Sequence, residues 1–143
     1  MSDHAQVAQA SPLAAIFERY HVGWETRNPD MIAALHSENT IFWLHDGSEP
    51  VKGREALRRH CAALFAAFDF SNTVVRLLYG EDHWILEWTM VLSLAEPDGR
   101  PFTARVEMLD VVTLNPLGEV TRKDVYMNGN QSQAAFARAG IER

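Results

Sequence analysis

Four strand-like stretches follow one another in the second half of the chain, with no helical pattern between them. They cover residues 70–79, 83–95, 101–115 and 119–128. The breaks between them lie at GED, EPDG and NPLG, which contain the Gly, Pro, Asp and Asn residues that favour tight turns. Strands joined by such short turns pair antiparallel with their neighbours, so the pattern predicts a long antiparallel meander.

The first half of the chain has helical periodicity instead. Ser11-Pro12 is a helix start signal, and the spacing of the apolar residues after it places Tyr20 and Trp24 on the buried stripe of a first helix. A second helix starts at Asn28-Pro29. It is followed by a strand at residues 40–44, a loop at residues 45–53 and a third helix at residues 54–68. Helices followed by a meander predict an α+β fold, with the helices on one face of a curved sheet and a pocket between them.

Composition narrows the class of protein. A length of 143 residues suits one domain with a real core, so we expect a single domain at residues 11–143 behind a flexible tail at residues 1–10. The net charge of −6, without a Lys/Arg run, argues against nucleic acid, and no apolar run is long enough for a membrane. The lone cysteine, Cys61, fits a reducing cytoplasm. No metal or nucleotide motif is present, so we expect no cofactor.

A carboxylate interrupts an otherwise apolar strand face. Asp110 shares its parity with Met108 and Val112, and an isolated buried charge is costly unless it is paired, hydrogen-bonded or neutralised. Projecting this parity across the neighbouring hairpins predicts which side chains share the pocket with Asp110. The predicted inner set is Tyr20, Trp24, Glu87, Met108, Asp110, Val112, Asp124 and Tyr126, with Trp43 and His60 as further candidates.

Three members of the inner set, Tyr20, Asp110 and Asp124, are candidate catalytic residues, and the others are candidates for substrate binding. Two close carboxyl groups do not easily both ionise, so Asp110 opposite Asp124 is expected to be protonated at neutral pH. A protonated Asp110 and the Tyr20 hydroxyl could then donate hydrogen bonds to one ligand oxygen. Structural roles are the alternative: Arg105 or Arg122 could pair with Asp110, and a neighbouring base with Asp124.

The other parity of the 83–95 stretch is strongly apolar. It carries Trp84, Leu86, Trp88, Met90 and Leu92. If this parity faces away from the pocket, it forms an exposed apolar patch of the kind that usually marks an interface. We therefore expect a homodimer through the outer face of the sheet.

The order of elements resembles the nuclear transport factor 2-like superfamily, and within it the ketosteroid isomerase and SnoaL-like enzymes. Three segments carry the resemblance: ERYHVGWETRNPDMIAALHSENT, GSEPVKGREALRRH and MLDVVTLNPLGEVTRKDVYM. They are similar to the family's opening helices, its loop and third-helix entry, and its last hairpin, over roughly residues 12–128. The resemblance implies a cone-shaped curved antiparallel sheet wrapped around three N-terminal helices with an internal pocket, and commonly a dimer.

The resemblance also implies residue roles. Tyr20 stands at the position of the isomerase's oxyanion tyrosine, and Asp110 at that of its protonated aspartic acid, which together stabilise a dienolate there. The isomerase's general base falls at Trp43 or Leu44, neither of which can remove a proton.

A second branch, resembling limonene epoxide hydrolase, has water-activating carboxylates near the positions of Glu87 and Asp124. Together these matches predict a protein that binds a small hydrophobic compound, similar to a steroid, terpenoid or polyketide. It would act without a cofactor as an isomerase, dehydratase or hydrolase. The alternative is a non-catalytic ligand-binding or dimerisation module of the same fold.

Overall fold

The computed structural model describes residues 11–142, so the tail predicted at residues 1–10 lies outside the described residues. The elements, in chain order, are α1 (Pro12–Glu25), α2 (Pro29–Ala34), β1 (His36–Leu44), β2 (Val51–Lys52), α3 (Arg54–Ala67), β3 (Asp69–Tyr79), β4 (His83–Ala95), β5 (Pro101–Leu114), β6 (Val120–Met127) and α4 (Gly129–Ala139).

The strands between residues 11 and 142 form one curved sheet in the order β2-β1-β6-β5-β4-β3. The β3–β6 meander is antiparallel throughout, which confirms the predicted α+β fold. β1 differs from the expectation in two ways, because it starts at His36 and pairs with β6 in parallel. The short β2 pairs with β1 in the stretch where the sequence suggests only a loop.

Both helix start signals are confirmed. The Ser11 hydroxyl accepts a hydrogen bond from the backbone N–H of Leu13, and the Asn28 side chain accepts one from Met31, so α1 and α2 are capped as predicted. In the described part of the chain, none of the helices is long and apolar enough to cross a membrane.

Helix α4 is not expected from the sequence, although its boundary signals are present. Asn128 caps its first turn by accepting from the backbone N–H of Gln131, and Gly140 ends it in the left-handed conformation at φ 73°. Its buried residue Phe136 packs edge-on against Phe68 at a centroid distance of 5.6 Å. The helix thereby adds a wall to the cavity that the helices and sheet enclose.

Candidate functional site

The cavity between the helices and the concave face of the sheet has a volume of about 490 Å³. Volumes of this order are typical of sites for small molecules. Most of the wall is apolar or aromatic, and β4 supplies a continuous stripe of it: Trp84, Leu86, Trp88, Met90 and Leu92. The placement of this stripe on the outer face of the sheet, expected from the sequence, is therefore wrong, and the stripe cannot serve as a dimer surface.

The loop between β4 and β5 explains the reversal. The sequence suggests a four-residue turn, EPDG, but Arg100 also belongs to the loop, which a 2.8 Å backbone hydrogen bond to its carbonyl closes. The extra residue shifts the register between β4 and β5 by one residue, so Leu86 lies opposite Asp110. Because side chains alternate between the two faces of a strand, this shift exchanges the two faces of β4. Glu87, predicted to bind substrate, faces away from the cavity and forms an ion pair with Arg76 at 3.2 Å.

A β-bulge in β6 has the same consequence for the last hairpin. Thr121 has no partner residue in the β5 ladder, although its hydroxyl donates to the Thr113 carbonyl at 3.2 Å, and the rest of β6 is displaced by one residue relative to a regular hairpin. Val125 therefore lies opposite Asp110. Asp124 is on the outer side of the sheet, not at the predicted catalytic position beside Asp110.

Asp124 has structural partners on that outer side. It accepts hydrogen bonds from Arg122 at 2.8 and 3.0 Å, and its Oδ1 lies 2.8 Å from His45 Nε2. The hydrogen bonds from Arg122 are the main reason that the pKa of Asp124 lies below its ordinary value. Trp43 and Tyr126, both predicted to bind substrate, stack on the His45 ring at centroid distances of 4.6 and 4.3 Å, away from the cavity.

Five residues of the predicted set do line the cavity: Tyr20, Trp24, His60, Met108 and Asp110. Val112 shares their side of the sheet, but it is fully buried in the core and is not part of the cavity wall. The placement of these five agrees with the helical and strand periodicities, and their roles in binding or catalysis stay predictions.

The bulge brings Lys123, which was not predicted, into the place next to Asp110. Its side chain is 6% exposed, and its Nζ lies 3.5 Å from Asp110 Oδ2. The same ammonium group lies 4.2 Å from the centroid of the Trp24 ring, 5.0 Å from that of Tyr20 and 5.7 Å from that of Phe42. Three aromatic faces around one nitrogen favour its charged form.

The second oxygen of Asp110, Oδ1, is buried and has no hydrogen-bond partner within residues 11–142. Burial raises the pKa of Asp110, whereas the nearby Lys123 acts in the opposite direction. Burial alone would lower the pKa of Lys123, but Tyr20 and Asp110 outweigh it, so this pKa is raised. A charged Lys123 beside a neutral Asp110 would be an uncompensated buried ion, which costs several kcal/mol. This favours an ion pair at neutral pH, while the protonated Asp110 expected from the sequence, towards which burial acts, stays a prediction.

A directed chain of hydrogen bonds fixes the Tyr20 hydroxyl. Thr40 donates to the Val120 carbonyl at 3.2 Å, so its oxygen accepts from His36 Nδ1–H at 2.8 Å. Burial lowers the pKa of His36 to about 3, so its Nε2 carries no proton and accepts from the Tyr20 hydroxyl at 2.9 Å. The Tyr20 proton is thus directed at His36, which leaves Tyr20 without the donor role towards a ligand that the resemblance implies.

The place of the isomerase's general base carries an apolar side chain. Leu44, one of the two candidates for the isomerase's base position, lines the cavity, whereas Trp43 does not, so an apolar side chain occupies that place. Among residues 11–142, no group of three or more His, Cys, Asp or Glu side chains is arranged to hold a metal ion.

Comparison with known families and structures gives consistent results. The family model of the SnoaL-like domain matches residues 17–123. No curated protein sequence matches the chain.

Among solved structures, a hypothetical protein with a ketosteroid isomerase-like fold from Catenulispora acidiphila, in complex with trimethylamine, has a TM-score of 0.73 at 19% identity, over 90% of this chain and 95% of that one. The epoxide hydrolase/cyclase-like enzyme SalBIII has a role in pyran ring formation in the polyether salinomycin. It has a TM-score of 0.69 at 18% identity, over 92% of this chain and 97% of that one. TerC, co-crystallised with polyporic acid, has a TM-score of 0.72 at 14% identity, over 90% and 98%. At these identities the likeness establishes the fold alone.

Proposed function

Since the chain belongs to the SnoaL-like domain family, we propose that it is a cofactor-independent enzyme that acts on a small, mostly apolar carbonyl compound. In this proposal Asp110 removes a proton from the carbon next to the carbonyl group, and Lys123 stabilises the enolate that forms. The observation that carries it is the buried Lys123–Asp110 pair on the wall of an otherwise apolar cavity.

The proton step uses the free oxygen of the carboxylate. Asp110 Oδ1 accepts the proton, the C–H electron pair forms a carbon–carbon double bond, and the carbonyl oxygen gains the negative charge. The Lys123 ammonium, held by three aromatic rings, lies where it can donate a hydrogen bond to that oxygen. Burial raises the pKa of Asp110, which makes it a stronger base than an exposed aspartate.

The fate of the proton decides the reaction class. Returning it to a different carbon gives an isomerisation, and delivering it to a hydroxyl leaving group gives a dehydration. The comparisons support a compound in the range predicted from the sequence, similar to a steroid, terpenoid or polyketide. The support is that SalBIII has a role in pyran ring formation and that TerC was co-crystallised with polyporic acid.

Enolate formation can be tested without the natural substrate. In D2O, we expect the protein to accelerate deuterium exchange at the carbons next to the carbonyl of 2-tetralone, followed by proton NMR. Asp110→Asn should slow the exchange by roughly 10²–10⁴-fold, since Asn cannot accept the proton. His83→Gln, which changes a partly exposed histidine outside the cavity wall, is the control and should retain most of the rate. Exchange no faster than in buffer, or an Asp110→Asn variant as fast as the wild type, would refute the proposal.

The second candidate function is a non-catalytic ligand-binding module. It is favoured by the apolar Leu44 at the cavity wall, near the position where the isomerase has its base. Such a module would bind 2-tetralone and shift its thermal unfolding, yet leave the deuterium exchange rate at the buffer value.

We also propose a homodimer, as expected from the sequence, but through different residues. Apolar side chains on neighbouring strands cover part of the outer face of the sheet: Leu78, Ile85, Leu109, Val111 and Tyr126. Three of them, Leu78, Leu109 and Tyr126, are exposed large apolar side chains, which monomers seldom group together.

Sedimentation velocity at micromolar concentration should give twice the mass of the 16.1 kDa chain. Leu109→Arg should give the monomer, because it places a charge in the centre of the patch. Thr103→Arg, at the far end of the same strand, is the control and should stay dimeric. A monomeric wild type would contradict the proposal. Two further sequence-based expectations, a cytoplasmic location and a single domain at residues 11–143, also stay predictions.

A further inference from the structure

Four buried polar atoms on the cavity wall have no hydrogen-bond partner within the described residues: Asp110 Oδ1, Asn72 Oδ1, and the indole nitrogens of Trp24 and Trp88. A buried polar group without a partner is costly, so such atoms indicate where a ligand presents complementary groups. Three of them have polar neighbours at the end of the cavity that holds the ion pair: the Trp88 indole acts on the pKa of Asp110 as a hydrogen-bond donor, and the Trp24 indole acts in the same way on Tyr20.

Asn72 is at a different end of the cavity. It lies on β3 opposite Met90 of β4, whereas Asp110 lies opposite Leu86, four residues earlier on the same strand. Strand geometry puts the backbones of Asn72 and Asp110 on the order of 15 Å apart, two strands across and four residues along.

Asn72 has Phe70, Met90 and Leu92 as neighbours on the cavity wall, and none of them carries a donor. One side-chain donor, the Trp88 indole, lies on the same face of β4 two residues from Met90, but it acts on Asp110. A buried amide carbonyl in an apolar wall costs free energy unless it accepts a hydrogen bond.

We infer that the ligand is elongated and carries an oxygen at each end, and that Asn72 binds a hydroxyl at the end remote from the reacting carbonyl. This rests on the proposed function, because the other end of the ligand is the oxygen that lies against Lys123. The cavity would therefore select compounds with two polar ends over compounds of the same shape with one.

Two rigid phenols test this selection directly. Binding of 4-phenylphenol and of 4,4′-dihydroxybiphenyl is measured by isothermal titration to the wild type and to Asn72→Leu. The wild type should bind the diol about tenfold more tightly, the effect of one additional satisfied hydrogen bond. In Asn72→Leu the advantage of the diol should disappear, because its second hydroxyl is then buried without a partner.

Two further variants separate the role of the amide from general effects on the wall. Asn72→Asp keeps an acceptor oxygen and should keep the preference for the diol. Met90→Leu changes the side chain opposite Asn72 without changing a polar group, and should leave the ratio at about tenfold.

The outcomes distinguish this inference from the proposed function. Equal affinities in the wild type, or an undiminished ratio in Asn72→Leu, would overturn the role of Asn72 and leave the enolate chemistry standing. A wild type that binds neither phenol would overturn the inference, whereas the enolate chemistry is decided separately by the exchange of 2-tetralone. Lys123→Met should weaken the binding of both phenols while the preference for the diol remains.

Discussion

Asp110→Leu should lower the free energy of unfolding by about 3–5 kcal/mol, because it leaves the Lys123 ammonium buried without its carboxylate. The aromatic rings around Lys123 compensate only in part, since their attraction is present in the wild type as well. Lys123→Met should cost less. Asp110 left alone can take up a proton, in the direction in which burial already moves its pKa.

The double variant decides whether the pair acts as a unit. Asp110→Leu with Lys123→Met removes both charges from an apolar wall, and should recover most of the stability that Asp110→Leu loses. Urea unfolding of the four proteins, monitored by tryptophan fluorescence, measures the coupling. If the two single losses simply add in the double variant, Lys123 and Asp110 do not interact in the way assigned here.

The second large effect is an acid destabilisation that arises from His36. The pKa of His36 in the folded protein is lowered to about 3 by burial, whereas an unfolded histidine titrates near 6.5. Below about pH 6.5 the unfolded state therefore binds a proton that the folded state does not. His36 therefore leaves the free energy of unfolding unchanged above that pH. Below it, the protonation of His36 in the unfolded state lowers the free energy of unfolding by about 1.4 kcal/mol per pH unit, down to about pH 3.

This effect can be isolated by comparing variants. His36→Gln keeps polar atoms near Tyr20 and Thr40 but does not titrate, so its unfolding free energy should fall less steeply between pH 6 and pH 4 than that of the wild type. His83→Gln, which changes a histidine with a 41% exposed side chain, should follow the wild type. Equal slopes for the wild type and His36→Gln would show that His36 is not held neutral in the folded protein.

Local signals predict much of the fold and part of the site. The caps at Ser11 and Asn28 depend only on neighbouring residues, and the antiparallel meander follows from short turns between strand-like stretches. The inward positions of Tyr20 and Trp24 follow from helical spacing within a single element. Asp110 is correctly placed by its own strand, because no comparison with another strand is needed to see that its face is apolar.

The errors arise where one strand has to be aligned with another. One loop residue, Arg100, reverses the faces of β4 relative to β5, and one bulge residue, Thr121, reverses those of β6. Neither has a distinctive sequence signal, since a turn of four residues and one of five look alike in composition. Lys123 was missed for the same reason, because a lysine between Arg122 and Asp124 has the pattern of a solvated strand edge.

The bulge at Thr121 also determines how this chain is to be aligned with its relatives. It holds one additional residue outside the ladder, so the side chains of β6 beyond it face the opposite side from those of a regular hairpin of the same sequence. For a relative whose last hairpin is regular, counting forward from the turn without allowing for the bulge would match Asp124 of this chain to a cavity residue of that relative. At identities of 14–19%, such an alignment error of one residue is easily made. It would compare the relative's cavity residue with Asp124, an acid on the outer face, when its true counterpart in this chain is a residue on the inner face.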